Sequence, residues 1–112
     1  MRFEERRIAD VLVAKVLESR ISADVALPFK QALVEYVNKG NRRLVLDLSE
    51  VTFIDSSGLG ALIGSLKAIG DDGELALCSA RETVASMFKL TRMNKVFRMF
   101  SNPDDAVAAF SH

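Results

Sequence analysis

The hydrophobic and polar positions of this chain fall into two periods that alternate along its length. Residues 3–8 and 11–17 read as two strands on either side of Ala9-Asp10. In the second, Val11, Val13 and Lys15 alternate with Leu12, Ala14 and Val16, which predicts an edge region of a sheet with one half-solvated side. Residues 22–38 switch to a helical period, with Ala26, Phe29, Leu33 and Val37 recurring at three- and four-residue steps. Ser22 or Asp24 is positioned to cap this helix, and Gly40 to end it. Pro28 inside a helix removes a hydrogen bond at a cost of roughly 3 kcal/mol. The spacing therefore predicts a start near Asp24 or a bend at Leu27.

The second half repeats the alternation. Leu44 to Leu48 is almost continuously apolar and predicts a central strand covered on both faces. Residues 57–69 predict a helix with Leu59, Leu62, Ile63, Leu66 and Ile69 inward. Its Gly60, Gly64 and Ala68 lie four apart and predict close backbone approach along that stripe. After the loop Gly70 to Gly73 come a strand at 75–78, a helix at 81–90 with Val84, Met87 and Phe88 inward, and a short strand at 96–99. The last helix has the plainest local start: Asn102 as cap, Pro103 at the first position, then Asp104 and Asp105 complementing the dipole, with Val107 and Phe110 docking it. The predicted order is β-β-α-β-α-β-α-β-α. That order implies an α/β fold: a mixed, mostly parallel sheet of about five strands with about four helices packed against it. Residues 1–112 are expected to form a single domain.

Composition narrows the chemistry. With 15 basic and 15 acidic residues the formal charge is zero, which argues against a dedicated nucleic-acid binder. Cys78 is the only cysteine, so neither an intrachain disulfide nor a four-thiolate metal site is expected. Cys78 and Phe3, Phe53, Phe88, Phe97 and Phe110 are expected in the core. His112 is the only histidine and the last residue, so no histidine-dependent triad or metal site is expected. No apolar run approaches the roughly 20 residues that span a bilayer, and Met1 to Arg7 lacks the apolar stretch of a signal peptide. A cytoplasmic location without membrane insertion is the expectation. No phosphate-binding Gly-x-x-x-x-Gly-Lys loop is present, and Ser65 and Lys67, two apart on a helix, diverge. Neither an enzyme nor a cofactor is expected. Lys89, Arg92, Lys95 and Arg98 recur at three-residue intervals, either as solvated surface or as a basic patch facing a partner.

One turn stands apart. Asp55-Ser56-Ser57-Gly58 follows a strand and opens a helix. Helix N-termini expose unpaired backbone N–H groups and the positive end of the dipole, so a phosphate on a hydroxyl there is compatible with the fold. Read locally, the same residues are an ordinary helix cap, with Asp55 accepting from the N–H of Ser57 or Gly58.

Over residues 44–62 the run Leu-Val-Leu-Asp-Leu-Ser-Glu-Val-Thr-Phe-Ile-Asp-Ser-Ser-Gly-Leu-Gly-Ala-Leu resembles the STAS domain of bacterial anti-sigma factor antagonists. The likeness extends over almost the whole chain, including the opening hairpin and Met87-Phe88-Lys89-Leu90-Thr91. The resemblance implies a STAS fold and a phosphorylation-switched interaction module. In that family the serine after the aspartate, Ser56 here, is phosphorylated by a partner serine kinase that is itself the anti-sigma factor. The unphosphorylated form binds the kinase, the phosphorylated form is released, and a phosphoserine phosphatase resets the cycle. The resemblance places Ser22, Asp24, Asp55, Ser57, Gly58, Leu59 and Gly60 at the partner surface. The family carries Gly-Glu-Leu-Asp at the end of the second strand, where this chain has Ser19-Arg20-Ile21-Ser22. Ser22 thus stands at the aspartate position, with Asp24 two residues on. The competing expectation is a constitutive STAS subunit of a transporter or other signalling complex, with no phosphorylation cycle.

Overall fold

The opening hairpin forms as its alternation predicts. In the computed structural model, which describes residues 1–110, β1 (Phe3–Ile8) and β2 (Val11–Val16) pair antiparallel with Ile8 opposite Val11. Three crossovers then add parallel strands in one direction. Helix α1 (Ala23–Asn38) leads to β4 (Arg43–Asp47), α2 (Ser56–Ile69) to β6 (Glu74–Cys78), and α3 (Glu82–Leu90) to β7 (Arg98–Phe100). The sheet order is β1-β2-β4-β6-β7. Two further strands, β3 (Arg20–Ile21) and β5 (Phe53–Ile54), form a separate parallel pair. The last helix is α4 (Pro103–Phe110).

Stepwise strand addition with right-handed connections puts α1, α2 and α3 on the same face. Phe29, Leu33, Leu62, Val84 and Phe88 from these helices meet Leu12, Ala14, Leu44, Leu46, Leu75 and Leu77 of the strands in one core. The opposite residues of the same strands, Val11, Val13, Val45, Ala76 and Cys78, pack beneath Ala106, Val107 and Phe110 of α4. The central strands read as continuous apolar runs because both faces are covered.

This corrects the expectation for the second strand. β2 lies inside the sheet, between β1 and β4, and is buried on both faces except at Lys15. The edge is β1, whose Glu4 to Arg7 are exposed. Charged residues on an exposed edge discourage pairing with other chains.

Helix α1 starts at Ala23 and runs through Pro28. Its end is a Schellman motif: Gly40, at φ +103°, donates to the Val37 carbonyl at 2.9 Å and Asn41 donates to that of Tyr36 at 3.1 Å. At α4 the Asp105 N–H donates to Asn102 Oδ1 at 2.8 Å, the cap read from the sequence. The last strand begins two residues later than expected, at Arg98, because Met93–Lys95 forms a short 3₁₀ turn and Val96 stays exposed. Cys78 is buried, as expected of a small hydrophobe, while His112 lies outside the described residues.

Candidate functional site

The parallel strands all end at one edge of the molecule, and α2 begins there. The small β3–β5 pair sets its position. Arg20 lies opposite Phe53 and Ile21 opposite Ile54, with both isoleucines buried. The Ser19 carbonyl accepts from the N–H groups of Thr52 at 2.7 Å and Phe53 at 3.2 Å, and from Thr52 Oγ1 at 3.0 Å. The Asp55 N–H then donates to the Ile21 carbonyl at 3.3 Å. The turn entering α2 is thereby held against the turn entering α1. Arg81 and Thr83 at the start of α3 tie down the same loop, through Arg81 Nε to the Ser49 carbonyl at 2.8 Å and Thr83 Oγ1 to the Thr52 carbonyl at 3.2 Å.

Asp55 is the cap of α2. It has an extended backbone, and its Oδ1 accepts from the Gly58 N–H at 2.9 Å. Of the two donors considered from sequence, Gly58 is the one used. Ser56 and Ser57 are exposed in the first turn, and neither hydroxyl has a hydrogen-bond partner among the described residues. The first turn carries no acidic residue beyond the cap.

Gly58 and Leu59, expected at the partner surface, are buried. A Cβ on Gly58 would run into the Ile21 carbonyl oxygen and come within 2.8 Å of Ile54 Cγ1. The close approach expected at Gly60 and Gly64 therefore occurs at Gly58. A Cβ at Gly60 would meet open space, and one at Gly64 would meet only the Lys30 side chain at 3.4 Å. Gly60 is exposed, one turn beyond Ser56.

On the α1 side, Ser22 occupies the cap position without capping. Its Oγ donates instead to Asp24 Oδ1 at 2.6 Å. That hydrogen bond, helped by Asp24's own backbone N–H and by the charge of Arg20, holds the Asp24 carboxyl below its usual range. Asp24 is exposed. Phe53, expected in the core, is partly exposed, and the Arg20 guanidinium lies 4.2 Å from its ring centroid. In a two-residue strand Phe53 points away from buried Ile54, so the ring faces solvent and the cation covers it. Sequence reasoning missed this pair; its signal was the polar–apolar alternation Arg20-Ile21 beside Phe53-Ile54.

Ser65 is buried and donates to the Ala61 carbonyl at 2.7 Å, leaving no free hydroxyl beside the exposed Lys67. Among the described residues no cluster of three metal-binding side chains occurs, and no helix is long and apolar enough to cross a membrane.

The strand–turn–helix geometry has counterparts in known proteins. Residues 6–106 match the family model of the STAS domain. The chain belongs to the STAS domain family. This STAS domain is 30% identical to BtrV of Bordetella bronchiseptica, named as a candidate anti-sigma factor antagonist, over 98% of this chain and 95% of that protein. It is 31% identical to the anti-sigma-B factor antagonist of Listeria monocytogenes over 80% of this chain and 76% of that one. The crystal structure of an anti-sigma factor antagonist from Mycobacterium paratuberculosis superposes with a TM-score of 0.86 at 27% identity, covering 99% of this chain and 94% of that chain.

Proposed function

We propose that this STAS domain is an anti-sigma factor antagonist: a non-enzymatic interaction module with Ser56 as its phosphoacceptor. The observation that carries this reading is the exposed, unpartnered Ser56 hydroxyl at the first residue of α2, directly after the capping Asp55. The partner is an anti-sigma factor that is also a serine kinase, and a phosphoserine phosphatase restores the free hydroxyl. Docking takes place in the cytoplasm, on the surface formed by Ser22, Asp24, Asp55, Ser57 and Gly60, with buried Gly58 and Leu59 fixing its shape.

Physical chemistry supports a local switch. Phosphorylation adds about −1.5 to −2 charges and three strong acceptor oxygens. At a helix N-terminus the dipole term favours that charge by roughly 0.3–1 kcal/mol. The fold therefore tolerates the phosphate, while a partner packed on this surface meets a dianion beside Asp55. A penalty of about 2.7 kcal/mol already weakens binding a hundredfold.

Incubation with ATP and the cognate kinase, followed by mass spectrometry, is expected to place one phosphate on Ser56 and none on Ser57. Ser56→Asp is expected to bind that kinase about a hundredfold more weakly than wild type. Equal affinity of the two proteins, or a phosphate absent from Ser56, would overturn the switch and favour a constitutive interaction module.

A further inference from the structure

From Thr83 to Pro103 the chain carries Lys89, Arg92, Lys95 and Arg98 and no acidic residue. The whole chain is neutral, with 15 charges of each sign, so the remainder holds 11 basic residues (15 less 4) against 15 acidic. Four positive charges are thus gathered on one short stretch. The fold decides where they go. Helix α3 starts beside the Ser56 edge and runs back along the sheet, so its C-terminal end and the turn into β7 lie at the opposite end of the strands. Arg98 is committed to the α4 face, its guanidinium 5.7 Å from the Phe100 ring centroid and 5.5 Å from that of Phe110. Lys89, Arg92 and Lys95 are exposed, and none forms an ion pair among the described residues.

Next to these cations in the chain, Leu90 after Lys89 and Val96 after Lys95 are two of the few large apolar side chains left in solvent, at 82% and 49% exposure. Arg92 has left-handed backbone, φ +62°, in the turn that separates them. Complementing the α3 dipole accounts for a cation near its end. It does not account for an exposed leucine and valine beside three unpaired cations.

We propose that this tip docks on an anionic lipid surface. Leu90 and Val96 enter the headgroup region, and Lys89, Arg92 and Lys95 snorkel to the lipid phosphates. Three features favour lipid over an acidic protein. Two of the three cations are lysines, which protein interfaces deplete. The apolar residues are aliphatic rather than the aromatic anchors of interface hot spots. Leu90 is the last residue of α3 and Val96 directly follows the 3₁₀ turn, so both stand at element ends instead of lining a groove. The contact leaves the Ser56 edge facing solution, so it operates independently of the proposed phosphorylation.

The test is co-sedimentation of the whole protein with phosphatidylglycerol vesicles at low salt, against phosphatidylcholine vesicles. Binding is expected to the anionic vesicles only, and to be lost at high salt. Each of Lys89→Gln and Lys95→Gln is expected to weaken it about fivefold, and Leu90→Ser several-fold. Arg2→Gln and Arg6→Gln, exposed cations on the β1 side of the molecule, serve as controls without effect. All these positions are exposed, and unchanged thermal melts would show that the variants fold. Absence of binding to phosphatidylglycerol vesicles overturns the proposal, as does binding that ignores the tip variants. Saturable binding of a poly-glutamate peptide without vesicle binding overturns it in favour of an acidic protein partner.

Discussion

Helices α2 and α4 open with the same hydrogen bond and nearly opposite surroundings. In each, a capping side chain accepts from the N–H three residues on, Asp55 from Gly58 at 2.9 Å and Asn102 from Asp105 at 2.8 Å. The α4 start is complete within its own sequence: a neutral cap, Pro103 at the first position, and two carboxylates in the first turn against the dipole. The α2 start has a charged cap, two unpartnered hydroxyls, and a glycine pressed against another strand's backbone. One terminus is built to begin a helix. The other holds hydroxyls at a defined place on the surface, and its geometry depends on residues more than thirty positions away.

The third helical residue separates them most sharply. Gly58→Ala is expected to destabilise by about 3 kcal/mol, near the upper end for overpacking, because the Ile21 carbonyl belongs to the backbone and cannot swing aside. Thermal unfolding checks this, with the melting temperature expected to fall by roughly 10–20 °C. Asp105→Ala, at the matching position of α4, is expected to cost under about 1 kcal/mol, the loss of one dipole-complementing charge. Equal losses would end the contrast.

An alkaline titration probes the face beneath α4. Burial raises the Cys78 thiol from 9.0 to about 11. The unfolded chain gives up that proton near pH 9 while the folded one keeps it, so this contribution is intact below pH 9. It is then lost as pH rises towards 11. Tyr36, raised by burial and by its hydrogen bond to Glu5, adds a dependence of the same sign at higher pH. Urea unfolding across this range is expected to show falling stability, and Cys78→Ala to flatten the first part of the fall.

The caps come next. Asp55→Ala and Asn102→Ala are each expected to cost about 1 kcal/mol by chemical denaturation. Only the first is expected to weaken binding to the proposed kinase partner. Smallest are the charge changes. Asp104→Asn is expected to lose roughly 0.3–1 kcal/mol. Ser56→Asp is expected to shift stability by less than about 1 kcal/mol, because the dipole gain is offset by repulsion from Asp55. A larger loss in Ser56→Asp would mean that a negative charge there disturbs the fold, not only the interface.

The two termini also differ in how far they could be read in advance. Asn102, Pro103, Asp104 and Asp105 specify α4 through contacts within one turn, and Gly40 closes α1 the same way. The order of long strands and helices was legible because burial on one or two faces imposes a period on the residues. The β3–β5 pair was not, since two residues carry no period and the pairing joins positions 33 apart, Arg20 with Phe53. Phe53 was expected inside for want of that pairing. The glycine needed for close approach was expected at Gly60 or Gly64, but Gly58 faces Ile21 and Ile54.

By itself the sequence determined the alternation of elements, the caps, the helix stops and the Asp-Ser-Ser-Gly turn, because each rests on hydrogen bonds or burial periods spanning a few neighbouring residues. Only the tertiary structure decided which of those residues reach the surface. It pressed Gly58 and Leu59 inward, left Ser56, Ser57 and Gly60 outward, and set Arg20 over Phe53. It also carried Leu90 and the cations around it to the far end of the sheet. Exposure depends on what packs against a residue, and those neighbours arrive from distant parts of the chain.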